Sequence, residues 1–198
     1  MKILVLFAAL VVPCLAANPD VEKGKTLGSP AAPLMLEVYS DYMCPACKHL
    51  HEAVLPAIAI DYVKTGKAFV VFREFPLDIP QHPYSKQAAA LAVAAGRVGK
   101  YTLVADALFA SQPAWGATGR LWDSIKVVLT PEEQQKVQAL AKDPAVLGDV
   151  QADVNRGHQA KIGQTPTIVV THRLRQQPWT TFNDYPLFRS YLDGLLKK

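Results

Sequence analysis

The sequence predicts an α/β fold in which a strand–helix–strand unit and a strand–strand–helix unit are separated by a long helical block. Three observations carry that prediction. Short apolar runs rich in β-branched and aromatic residues stand at 34–40, 69–75 and 167–171. The stretch between the second and third, from Tyr84 to about Ala160, is patterned as helix. With 198 residues, half of them hydrophobic, the chain has room for one domain enlarged by an insertion.

Residues 1–17 read as a secretory leader. Met1-Lys2 is a minimal positive start, Ile3 to Val12 is unbroken apolar sequence, and small residues follow at Ala16 and Ala17, after either of which cleavage is expected. An uncleaved N-terminal anchor is the alternative, disfavoured because the apolar run is short against the ~20 residues that span a bilayer. A lipoprotein use of Cys14 is disfavoured by Pro13, where a small residue is expected. Residues 18–33, rich in Pro, Gly and Lys, form an extended arm.

The first half of the core follows at 34–83. Leu34–Ser40 is a strand, 45–65 a helix bent at Pro56 and ending near Thr65-Gly66, and Phe69–Phe75 a second buried strand. Two strands around one helix make a parallel, right-handed βαβ unit. Pro76, Pro80 and Pro83 force a loop, and His82 marks the junction to the helical insertion at 84–160. That insertion opens on the strong helix former Gln87–Ala95 and continues near Lys100–Ala110. Thr130-Pro131-Glu132-Glu133 starts another helix, with Thr130 as N-cap, Pro131 at the first helical position and Glu133 closing a capping box. One more helix fits Ala145–Gln159. Phe109, Tyr101, Trp115 and Trp122 are packing material for these helices, some of them candidates for an apolar docking surface.

The second half spans 161–198. Thr167–Thr171 is a strand, His172 to Gln177 a basic turn, and Trp179–Phe182 its partner strand. Asn183 or Asp184 caps a final helix with Leu187, Phe188, Tyr191, Leu192 and Leu195 on one face, and Lys197-Lys198 suits its C-terminal dipole.

The net charge of +4, or +3 once Lys2 leaves with the leader, is dispersed, and no basic run is interleaved with aromatics. Nucleic acid is therefore excluded as a partner. Of three cysteines, Cys14 departs with the leader, so the mature chain keeps Cys44 and Cys47. A disulfide framework needs more pairs at wider spacing. Two close cysteines on an exported chain point to redox chemistry instead. Cys44-Pro45-Ala46-Cys47 stands where the first strand gives way to a helix. A helix N-terminus carries partial positive charge and unpaired N–H groups, which stabilise a thiolate. Pro45 suits that first turn. Zinc is the rival reading, because His49 and His51 follow, but Cys44 and His51 would be separated by about 10 Å of helical rise. Bonds of roughly 2.0–2.3 Å do not reach across it, so no metal is expected.

That element order, with CPAC after the first strand and Gln164-Thr165-Pro166-Thr167 before the third, resembles the DsbA-like branch of the thioredoxin superfamily. The specific parts are YSDYMCPAC at 39–47, VLP at 54–56, FREFPL at 72–77, HP at 82–83 and TPT at 165–167. The resemblance implies a thioredoxin fold, a central mixed β-sheet flanked by helices with an inserted α-helical domain. It implies an exposed nucleophilic Cys44, a more buried resolving Cys47, and redox tuning by Pro45 and Ala46. It implies a cis Thr165–Pro166 bond that sets the Thr165 backbone beside the dithiol, where a substrate peptide adds as a strand. No organic cofactor is implied. The implied partners are unfolded or cysteine-containing exported proteins and a membrane quinone-linked oxidase for recycling. One departure stands out. Relatives often carry a buried acid six residues before the first cysteine, and here that position is Val38. Glu37 would face the other side of a regular strand, so its role stays open, with a strand-edge carboxylate the ordinary reading.

The expected function is an exported, periplasmic or secreted thiol–disulfide oxidoreductase that introduces disulfides into other proteins. A reductase or isomerase on the same fold is the alternative. A chaperone-like peptide-binding module that needs no dithiol is a third reading.

Overall fold

The computed structural model describes residues 24–173, 175–180 and 185–197. At its centre is a five-stranded sheet in the order β1 (Thr26–Leu27), β3 (Ala68–Glu74), β2 (Leu34–Ser40), β4 (Thr167–His172), β5 (Arg175–Trp179). β2 and β3 are parallel, in register from Leu34 opposite Ala68 to Ser40 opposite Glu74. The remaining pairs are antiparallel, so the sheet is mixed. The predicted arm at 18–33 is more than an extended lead-in. Thr26 and Leu27 add an edge strand to β3, and Lys25 is buried. The predicted leader lies outside the described residues.

Alternation along β2 separates two cores. Leu34, Leu36 and Val38 point into the main one with Cys47, Leu50, Ile58 and Phe188. Tyr39 joins Phe75, Ile162 and Val169 in a smaller one on the opposite face. Helix α1, residues 45–63, crosses from β2 to β3. Two of its stretches, Leu50–Val54 and Ala59–Val63, are π-helical turns on either side of Leu55–Ile58. Pro56 has no N–H to give to the turn before it, and the widened turn at Leu50–Val54 accommodates that loss.

The predicted helical block consists of α2 (Ser85–Arg97), α3 (Tyr101–Ala110), α4 (Gln112–Thr118), α5 (Leu121–Ile125), α6 (Pro131–Leu140) and α7 (Pro144–Gln159). In α2 every residue from Ala88 to Ala95 is buried, because small side chains let α3, α6 and α7 all pack against it. Phe109, Tyr101 and Trp115 are core residues and Trp122 packs at its margin. The Thr130–Glu133 capping box forms, with Glu133 N–H donating to Thr130 Oγ1 (3.3 Å) and Thr130 N–H donating to Glu133 Oε2 (2.9 Å). Helix α7 lies against β3, and at Gly157 a Cβ would sit 2.4 Å from the Phe75 ring. Glycine is required there by close approach.

The last part of the chain departs from expectation. Arg173 turns the chain after β4 with φ +48°, and β5 begins at Arg175 rather than Trp179. The polar stretch read as a turn is an outer edge strand whose side chains face solvent, a position that favours charged residues. Residues 181–184, including both predicted caps, lie outside the described residues. Helix α8 (Tyr185–Leu196) buries Phe188 and Leu192, while Leu187 is exposed. No helix among the described residues is long and apolar enough to cross a membrane.

Candidate active site

The site forms where β2 runs out. Asp41 to Met43 turn the chain, Cys44 stands as N-cap of α1 with extended backbone, and Pro45 occupies the first helical position. Cys44 N–H donates to Asp41 O (3.1 Å), and Lys48 N–H donates to Cys44 O (3.1 Å). Both thiols are free. Cys47 is fully buried, and Cys44, expected to be exposed, is itself buried at 8 % exposure, the shallower of the two. Pro45 and Ala46 are exposed at the rim. The Thr165–Pro166 bond is cis, and the loop brings Thr165 O to 3.5 Å from Cys44 Sγ. The six residues singled out from the sequence are thus gathered within one site.

The two sulfurs are polarised in opposite senses. A hydrogen bond from the Cys47 thiol, with further help from the backbone N–H groups of Cys47 and Ala46, brings Cys44 down to about 6 against the opposing effect of burial. Burial and then the neighbouring Cys44 push the Cys47 thiol well up. At neutral pH the reduced pair is one thiolate and one thiol, the state that attacks or releases a disulfide. The helix N-terminus contributes as expected, but the larger effect comes from the second cysteine.

Three supporting residues escaped the sequence reading. Gln112, buried at the start of α4, donates from Nε2 to Tyr42 O (2.7 Å) and Cys44 O (3.0 Å). It pins the turn before the dithiol to the helical insertion, and nothing local in the sequence marks it. Asp41 accepts from Met43 N–H at 2.7 Å, an Asx turn that an Asp directly after a strand could have signalled. The same carboxylate reaches His82 Nδ1 (2.7 Å), so His82 does more than mark a junction. His51, one of the two histidines in the zinc reading, is paired with Asp106 (2.6 Å).

Glu37 is corrected by the structure. It is buried, not a strand-edge carboxylate, and accepts from Arg73 Nε at 2.9 Å. Arg73 also reaches Asp153 of α7 (3.3 Å), and Lys25 completes the cluster on Asp153. This buried network lies on the face of β2 opposite Val38, which packs with Cys47. Glu37 is therefore structural, and it cannot stand in for the acid absent at Val38.

Comparison with known proteins agrees. The family model described as Thioredoxin matches residues 20–184. A Na(+)/H(+) antiporter NhaA 1 of Mycobacterium sp. (strain KMS) is 31 % identical over 164 residues, covering 81 % of this chain and 25 % of the antiporter. The chain thus spans only a quarter of that longer relative. Disulfide bond formation protein D of Bacillus subtilis (strain 168) is 24 % identical, with 92 % of this chain and 82 % of that protein covered. The crystal structure of oxidised BdbD from Bacillus subtilis superposes with a TM-score of 0.73 at 24 % identity, over 89 % of this chain and 95 % of that one. With a family match over most of its length, the sheet topology, and a dithiol facing a cis-proline loop, the chain belongs to the thioredoxin family.

Proposed function

We propose that the protein is exported and acts as a dithiol oxidase, introducing disulfides into secreted or periplasmic proteins. The observation that carries this reading is the Cys44 thiol held down at about 6. A stabilised thiolate favours the reduced pair, and a pair that favours reduction is an oxidant toward its substrates. The Bacillus subtilis relative, a disulfide bond formation protein, supports the same direction.

In the resting enzyme Cys44 and Cys47 are joined. A substrate thiolate attacks Cys44 Sγ, a mixed disulfide forms there, and Cys47 leaves with the electron pair of the broken bond. A second substrate thiolate then attacks the substrate sulfur of the mixed disulfide. Cys44 departs as thiolate, the substrate carries the new disulfide, and the enzyme holds the two electrons. The substrate segment docks as an added strand along the backbone of Thr165, beside the dithiol. A membrane quinone-linked oxidase takes the electrons and restores the Cys44–Cys47 bond.

Equilibration of the pair against glutathione redox buffers tests the direction. A potential above about −200 mV supports the oxidase, whereas one near or below about −270 mV assigns a reductase.

A further inference from the structure

Asp41 is the most heavily bonded carboxylate beside the dithiol. Its side chain is wholly buried and receives donors from three parts of the chain. Met43 N–H (2.7 Å) comes from its own turn, Leu77 N–H (2.8 Å) from the loop after β3, and His82 Nδ1 (2.7 Å) and Ser85 Oγ from the start of α2. A carboxylate only accepts, so His82 Nδ1 carries the proton. Held from so many directions, the residue has no freedom to turn, and its own backbone N–H is left directed at Cys47 Sγ, 3.4 Å away. The carboxylate's own bonds do not involve Cys44, which meets Asp41 only through the backbone, Cys44 N–H donating to Asp41 O (3.1 Å).

We propose that Asp41, with His82 as its partner, is a positioning residue for thiol exchange: the anchored carboxylate holds the Asp41 N–H on Cys47 Sγ, where it receives the charge that develops as the internal disulfide opens. This rests on the dithiol reading above. When a substrate thiolate bonds to Cys44 Sγ, the Cys44–Cys47 bond breaks and its electron pair stays on Cys47, which afterwards takes a proton from water. Cys47 is buried, so water does not solvate that charge as it forms, and a donor already in place lowers the barrier. The Asp41 N–H acts on Cys47 in the required sense, opposing the effect of burial. His82 lies outside the reacting pair, and its ring closes the bond set at the beginning of α2.

The test compares two reactions in wild type, Asp41→Asn and His82→Ala. The first is reduction of the oxidised protein by glutathione, in which Cys47 must leave. The second is alkylation of reduced Cys44 by iodoacetamide, in which Cys47 does not leave. A hydrogen bond to a charged group is worth about 1.5–3 kcal/mol, so partial loss of this one slows the first reaction in Asp41→Asn by roughly 10-fold. Alkylation stays within about 2-fold, and His82→Ala shifts the first reaction the same way by a smaller factor. Equal slowing of both reactions overturns the inference, because it indicates a general distortion of the turn. An unchanged first reaction overturns it too, and His82→Ala alone decides this if Asp41→Asn does not fold. A wild type that forms no internal disulfide overturns the dithiol reading itself, and that result is distinct from either failure in the variants.

Discussion

Replacing Cys47 with alanine should undo much of what makes Cys44 reactive. Cys44 is brought from 9.0 to about 6, chiefly by the hydrogen bond from the Cys47 thiol and secondarily by N–H groups of the first helical turn. A hydrogen bond to a charged group contributes about 1.5–3 kcal/mol, and one pKa unit corresponds to about 1.36 kcal/mol. Cys47→Ala should therefore raise the midpoint of Cys44 by about 1–2 units. The rate of iodoacetamide alkylation measured against pH reads this directly, with the wild-type midpoint near 6. A variant midpoint within a few tenths of the wild type would refute the reasoning and leave the helix N-terminus as the main cause. The same number bears on redox poise. A depressed thiol stabilises the reduced pair only where the folded protein is deprotonated and a free thiol is not. The contribution is absent below pH 6 and grows as pH rises toward 9. At pH 7 it amounts to about 1.4 kcal/mol, or about 30 mV of oxidising shift. The protein should be a weaker oxidant, relative to an unperturbed dithiol, in acid than at neutrality.

Other expectations follow from the supporting residues. Glu74 is buried against Tyr101 and raised from 4.5 to about 7 by desolvation. A raised acid costs stability as pH climbs through that window, so Glu74→Gln should remove a loss of up to about 3 kcal/mol that accrues between about pH 4.5 and 7, seen in urea unfolding. Arg73→Ala leaves Glu37 and Asp153 without their shared guanidinium and should cost about 3–5 kcal/mol in the same assay. Gln112→Ala strips two buried carbonyls of their donor, costing about 1–3 kcal/mol and slowing reduction by glutathione. Gly157→Ala drives a methyl into Phe75, and thermal unfolding should show a loss of about 1–3 kcal/mol.

What could be read in the chain was what depends on neighbours in sequence. β2, β3 and β4 announce themselves by apolar, β-branched runs, α6 by the Thr130–Glu133 box, and the dithiol by its position at a strand–helix junction. What could not be read depends on distant partners. Glu37 has the look of a strand-edge acid until Arg73, thirty-six residues away, is laid beside it. Gln112 reaches back 68 residues to the Cys44 carbonyl, and no periodicity encodes such a contact. β5 was displaced because an outer strand need not be apolar, so its polar residues imitate a turn. The π-helical turn before Pro56 takes up its missing N–H, where a simple bend was the expected response, and no local signal marked the second one at Ala59–Val63.

The contact of Cys44 with Thr165 spans 121 residues, and it sets an order of events during synthesis. The CPAC segment emerges early, while the carbonyl that comes to lie over its first sulfur is added only when most of the chain has been made. Until then the nascent chain carries a dithiol with no peptide-docking wall beside it. The dithiol and the Thr165 backbone therefore come together only when β4 pairs with β2, late in the making of the fold. Under the proposed function the clients are unfolded, cysteine-bearing chains, and before its two halves meet the protein is itself one of them. The separation of its two halves in sequence ties the wall beside Cys44 to the completion of the fold.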